Sequence, residues 1–176
     1  IEVQKMIEET IDTSDIVDKA YIKWIHKEFC DRLPEKLMIL KDIKGNKDLQ
    51  LIAGEFRKSD VKVGNHIPPE ASEIDSFLDR FEQAYSPDRL SKHRQIIAVP
   101  ASHHRFVWIH PFYDGNGRVS RMLSHAYFLK IGIGSAMWSI SRGLARREEE
   151  YKKLLMAADA GRQGDHDGRG NLSARG

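Results

Sequence analysis

Apolar positions recur every three or four residues along most of the chain, the spacing of helices with one face turned inward. Thr13, Ser14 and Asp15 offer cap chemistry ahead of a stripe formed by Ile16, Val17, Ala20, Trp24, Ile25 and Phe29. Pro34 interrupts it, and Leu37, Met38 and Leu40 predict a short helix before a loop at Gly45-Asn46. Beyond Pro68-Pro69, residues Ile74, Phe77, Leu78, Phe81 and Tyr85 predict an amphipathic helix over 72–85. A longer helix is expected from about Pro87 to Ile109, with Pro100 marking a kink or a join. Val119, Met122, Leu123, Ala126 and Leu129 form the next stripe, ended by Gly132 and Gly134. Leu144, Tyr151, Leu154, Leu155 and Ala158 predict a last helix. There is no internal repeat.

One segment breaks this period. Val61, Lys62, Val63, Gly64, Asn65, His66 and Ile67 alternate apolar and polar around a Gly-Asn pair, which predicts a short hairpin. Two strands alone are marginally stable, so such a hairpin in a helical domain points to use of its open edge by another chain. A mere surface hairpin is the plain alternative. After residue 160, Gly, Arg, Gln and Asp dominate without an apolar period, and 161–176 reads as a linker.

Composition narrows the class. The 176 residues fit one domain of ~100–200 residues. Lys and Arg number 28 against 26 Asp and Glu, and the net charge of +2 argues against a broad nucleic-acid surface. The single cysteine, Cys30, excludes an internal disulfide and fits a reducing, cytoplasmic setting. The longest apolar run, Ile96 to Val99, is far short of the ~20 residues of a membrane span. Nothing at the start resembles a signal peptide. The chain begins at Ile1 and is expected to be one domain of a longer protein.

The chemistry gathers in His110-Pro111-Phe112-Tyr113-Asp114-Gly115-Asn116-Gly117-Arg118-Val119-Ser120-Arg121, between two helical stripes. Gly115 and Gly117 are free to take positive φ, so successive backbone N–H groups can turn inward as an anion-binding nest. The following helix adds the positive end of its dipole. Arg118 and Arg121, three residues apart, can reach further phosphate oxygens. Asp114 is a hard carboxylate suited to Mg²⁺ beside phosphates. His110, with an ordinary pKa of ~6.5, is a candidate base. Taken singly, the glycines read as a turn, the histidine as packed, the arginines as a solvated face; the combination points to phosphate chemistry. The segment is not a P-loop.

These residues resemble the signature of the Fic family, His-x-Phe-x-Asp/Glu-Gly-Asn-Gly-Arg-x-x-Arg, with every fixed position matched. Gly54-Glu55-Phe56-Arg57, Val61-Lys62-Val63-Gly64 and Pro68-Pro69 resemble that family's flap region, and Phe106-Val107-Trp108-Ile109 its helix entering the motif. The tail resembles the linker to a C-terminal winged helix. The resemblance implies an all-α Fic fold over 1–160, with a β-hairpin flap over about 54–69 and the catalytic motif at 110–121.

It also implies a protein adenylyltransferase that moves AMP from ATP to a Ser, Thr or Tyr hydroxyl and releases pyrophosphate. His110 would be the base, and Asp114 would hold Mg²⁺ between the α- and β-phosphates. Gly115, Asn116 and Gly117 would bind phosphate oxygens, with Arg118 on the β- and Arg121 on the γ-phosphate. Tyr151 would lie along the adenine, unless it is a core residue. The flap at 61–67 would dock the target protein. Many relatives carry an Asn seven or eight residues after that Tyr, where this chain has Ala158 and Asp159. The inhibitory motif Ser/Thr-x-x-x-Glu-Gly/Asn does not occur in these residues, so an inhibitory helix is expected upstream or on a separate antitoxin. Trp138 and other apolar residues are open to a core role or a homodimer interface. The competing readings are UMP, phosphate or phosphocholine transfer, removal of AMP, or a non-catalytic nucleotide-sensing module of a transcription regulator.

Overall fold

The computed structural model describes residues 2–41, 48–64, 66–133 and 140–159. The chain divides into two compact units, Ile1–Trp138 and Ser139–Gly176, a division inside the span expected as one domain. The first unit carries α1 (Glu2–Thr10), α2 (Lys19–Cys30), β1 (Ile39–Lys41), β2 (Asp48–Gln50), α3 (Ile74–Tyr85), α4 (Lys92–Ile109) and α5 (Asn116–Lys130). The second carries α6 (Ile140–Arg146) and α7 (Glu148–Asp159), two helices where the apolar stripe predicted one. Helix dominates, as the periodicity predicts. The expected linker at 161–176, Trp138 and Asn65 lie outside the described residues.

The core of the first unit is built around α5. Its Val119, Leu123, Ala126 and Tyr127 are buried and join Ile7, Ile22, Ile25, Leu78, Phe106, Ile109 and Phe112 in one cluster. Each such Val, Leu, Ile or Phe side chain contributes roughly 1.5–3 kcal/mol by leaving water. α5 packs on α4, α1 and α2, and α3 packs on α4. Lys130 at the end of α5 donates to the carbonyls of Ile11 and Asp12, both at 3.1 Å, and so closes the open end of α1.

Several local expectations are corrected by packing. Thr13 and Ser14 turn back to the Thr10 carbonyl, so they finish α1, and the cap of α2 is Asp18, whose Oδ1 accepts from the Tyr21 N–H. The helix expected at Leu37 to Leu40 is a 3-10 turn at Glu35–Leu37 followed by β1. β1 is antiparallel to β2, with Ile39 opposite Gln50 and Lys41 opposite Asp48. Pairing of this kind outweighs a short stretch of helical spacing. The long helix starts at Lys92, preceded by a separate 3-10 turn at Pro87–Arg89. Pro100 lies inside α4 on an exposed face, where water can meet the carbonyl left without its N–H partner. No helix among the described residues is long and apolar enough to cross a membrane.

Phe106 is fully buried, with its ring 6.2 Å from Phe81 and 6.5 Å from Phe112, whereas Ile97 on the same helix is 68% exposed. Phe106→Ala is therefore expected to cost roughly 3–5 kcal/mol in urea unfolding. Ile97→Ala should stay within about 0.5 kcal/mol of the parent.

Candidate active site

The turn from α4 into α5 is closed by one side chain. Asn116 is 1% exposed, and its carboxamide accepts from the Phe112 N–H at 3.0 Å and donates to the Phe112 carbonyl at 2.8 Å. Phe112 is in turn locked in the core. The Asn116 side chain is thus committed to the loop, and its backbone N–H is the group left for an anion.

Gly115 takes φ +83, a left-handed backbone that favours glycine, and a side chain there would stand in contact with the His26 ring at 3.4 Å. Gly117, expected to be free for positive φ, is helical; the nest is therefore the first turn of α5 led in by a single left-handed residue. Arg118 and Val119 donate back to the Gly115 carbonyl at 2.9 Å. The N–H groups of Asn116 and Gly117, at the positive end of a 15-residue helix, have no partner among the described residues.

His110 caps α4 in a left-handed conformation, φ 51 and ψ 58, the one non-glycine residue of that kind among the described residues. Such a backbone costs about 1–3 kcal/mol and persists only where its surroundings fix it. Here the His110 N–H donates to Phe106 O at 3.0 Å, and its own carbonyl accepts from Arg57 Nε at 2.9 Å. The ring Nδ1 lies 3.3 Å from the Val107 carbonyl. A carbonyl only accepts, so Nδ1 carries the proton and Nε2 keeps the lone pair. Burial, with smaller contributions from Arg57 and His66, pushes the imidazole down to about 4, and it is neutral at pH 7.

Asp114 is held ready but occupied. Its Oδ1 accepts from the Gly115 N–H at 2.6 Å, and its Oδ2 pairs with Arg118 at 2.8 Å. The Arg118 guanidinium also lies 4.3 Å over the Phe29 ring. Arg121 makes no ion pair among the described residues, and one of its nitrogens lies beside Gly117. Mg²⁺ is usually held by one or two carboxylates with substrate phosphates completing its shell. Asp114, 43% exposed at its side chain, fits that mode, and no group of three or more His, Cys, Asp or Glu among the described residues offers an all-protein cage. His103 is bonded from Nδ1 to Ser124 Oγ at 2.8 Å, linking α4 to α5. Tyr151 stands on α7 of the second unit, half-buried.

The expected hairpin at 61–67 is one antiparallel pair, Val63 with His66, exchanging two 3.0 Å hydrogen bonds across Gly64, whose φ is 59. Val61 is half-buried, while Lys62, Val63 and Gly64 are exposed and Ile67 is 74% exposed. What fixes this flap was not legible in the sequence. Arg57, 2% exposed, donates to the carbonyls of His110, Ser59 and Pro69, and its N–H to Pro111 O at 2.8 Å. Tyr113 Oη accepts from the Lys58 N–H and bonds Ser59 Oγ, both at 3.0 Å. His66 Nε2 donates to Trp108 O at 2.8 Å. Both roots of the flap are thereby fastened to the loop carrying His110. A charged residue next to an apolar one, as in Phe56-Arg57, is too common a signal to have revealed this.

A helical domain thus carries a neutral histidine at one helix end, N–H groups without a partner among the described residues at the start of the next, and a flap pinned to the loop between them. The Fic/DOC family model matches residues 16–128, and the chain belongs to that family. The protein adenylyltransferase Fic of Drosophila erecta is 38% identical over 79 residues, 45% of this chain and 16% of that protein. Its counterpart in Drosophila mojavensis is 31% identical over 119 residues, 68% of this chain and 22% of that protein. The chain thus spans a small part of the curated relatives it matches. A Fic family protein from Desulfovibrio desulfuricans G20 superposes with a TM-score of 0.66 at 19% identity, covering 88% of this chain and 43% of that one. A Fic domain containing signaling protein from Bacteroides thetaiotaomicron gives 0.62 at 17%, covering 89% and 54%. At such identities the two structures show a shared fold, the all-α Fic fold.

Arg57→Lys keeps the charge and loses the fork that reaches three carbonyls. It is expected to destabilise the domain by about 2 kcal/mol or more and to raise amide hydrogen exchange across 57–67. Unchanged exchange there would show that the flap is held by something else.

Proposed function

We propose that this chain transfers the AMP part of ATP to a protein hydroxyl and releases pyrophosphate. The observation that carries the proposal is His110: its Nδ1–H faces Val107 O, so Nε2 is the free base, six residues before the first residue of α5, where the N–H groups of Asn116 and Gly117 have no partner among the described residues. Relatives named protein adenylyltransferase over 79 and 119 aligned residues support AMP as the group transferred.

In this reading a Ser, Thr or Tyr hydroxyl attacks the α-phosphorus as its proton passes to His110 Nε2. The bond from the α-phosphorus to the bridging oxygen breaks, and pyrophosphate leaves with that electron pair. The backbone of Gly115, Asn116 and Gly117 holds phosphate oxygens. Arg118 exchanges Asp114 for the β-phosphate, and Arg121 takes the γ-phosphate. Asp114 would hold Mg²⁺, which when bound neutralises phosphate charge. The flap at 61–67 aligns the target as an added strand, positioning its hydroxyl. An inhibitory helix from outside these residues would act by occupying Arg121.

The test uses ATP labelled at the α- or the γ-phosphate, with Mg²⁺ and candidate target proteins. Label is expected from the α-position only, and His110→Ala should reduce it by about 10²-fold or more while ATP still binds. Label from the γ-position, or wild-type-like transfer by the variant, would sink the assignment. A base with a pKa of about 4 is deprotonated throughout neutral and mildly acidic solution. We therefore expect kcat/KM to stay level from about pH 8 to pH 5.5, where a histidine at its ordinary ~6.5 would already have lost most activity.

A further inference from the structure

His26 is fully buried on α2 and belongs to none of the groups assigned above. Its ring stands between the two halves of the site. Nδ1 lies 2.9 Å from the Gly54 N–H, at the root of the flap, and Nε2 lies 3.3 Å from the Asp114 carbonyl, in the loop. An amide only donates and a carbonyl only accepts, so both bonds form in one state alone: the neutral ring with its proton on Nε2. The ring also stacks on Phe112, 3.7 Å between centroids at 3°.

Gly54 and Gly115 flank this ring, both left-handed, at φ +77 and +83. A side chain on Gly54 would meet Lys23 O at 3.1 Å, and one on Gly115 would meet His26 Cδ2 at 3.4 Å. Cys30 Sγ, on the same helix, lies 3.4 Å from Nε2. The 114–115 peptide is planar and trans, so its C=O and N–H point in opposite directions. Drawing the Asp114 carbonyl inward to His26 therefore turns the Gly115 N–H outward, where it meets the Asp114 carboxylate.

We propose that His26 is a positioning residue for the transfer reaction, a neutral two-ended clamp that ties the root of the flap at Gly54 to the phosphate-binding loop at Asp114. This rests on the functional reading above. It adds that the orientation of the 114–115 peptide, and with it the nest and the Asp114 carboxylate, is set by a residue that touches no substrate. Without the ring's hydrogen bonds an amide and a carbonyl would be left unmet beside the core, and the loop would turn to find partners.

Two substitutions separate hydrogen bonding from packing. His26→Phe keeps a flat ring over Phe112 and removes both bonds. His26→Gln gives up the ring but places an amide N–H where Nε2–H stands. ATP affinity, which needs no chemistry, and kcat are both read. With Phe, ATP affinity and kcat are expected to fall by about 10-fold or more, with a native circular dichroism spectrum; with Gln, both are expected to recover most of the way. The reverse order, Phe near wild type and Gln impaired, would make His26 a packing residue and overturn the clamp. Should both variants fail to fold, the ring nitrogen shifts of ¹⁵N-labelled wild type at neutral pH decide: the Nε2–H tautomer is required, and Nδ1–H would overturn the proposal. If wild type binds ATP but transfers no AMP, the functional reading fails, while the clamp is still judged by ATP affinity and tautomer.

Discussion

The two hydrogen bonds between the Asn116 carboxamide and the Phe112 backbone are the constraint on which the site depends. They close the loop between α4 and α5 from the inside and let Phe112 enter the core. With the loop closed, the chain has little choice at either end. His110 must turn left-handed to leave α4, and Gly115 must do so to enter α5. His110 and the helix start therefore sit at opposite ends of one core-anchored turn. Their spacing is set by packing, which suits the proposed transfer, a reaction run mainly by positioning and electrostatics.

Around that turn, the structure uses buried polar groups where apolar ones would pack more simply. Burying the Arg57 guanidinium is costly unless its donors are met, and they are met by carbonyls of His110, Ser59 and Pro69. His26 and His66 do the same with backbone groups on other segments. Hydrogen bonds are directional and hydrophobic contact is not. Fixing the angle of a carbonyl or an amide at the site thus calls for polar side chains in the interior, and Arg57 and His26 each join segments far apart in the chain.

Charge follows the same logic. Burial holds His26, His103 and His110 neutral, each down to about 4, so none of the three adds a charge to the interior. Arg118 and Asp114 neutralise one another at 2.8 Å, and Arg121 has no carboxylate among the described residues. The first turn of α5 is therefore electropositive through its dipole and Arg121, and the Asp114 carboxylate is kept in place by Arg118.

The helices, the core stripes and the motif were legible in the sequence because they are local. Three- and four-residue spacing reports a buried face, as at Ile74, Leu78 and Phe81, and 110–121 carries its residue types side by side. The β1–β2 ladder, the true cap at Asp18 and the break between α6 and α7 were not, since short segments follow their surroundings more than their own propensity. Tertiary structure alone decided which nitrogen of His110 is free, that the Asn116 side chain faces inward, and that Arg57 and His26 belong to the site. Those outcomes rest on bonds between residues as far as 88 positions apart, from His26 to Asp114. A hydrogen bond at that range exists only once packing has brought donor and acceptor to about 3 Å, and no pattern along the chain encodes that distance.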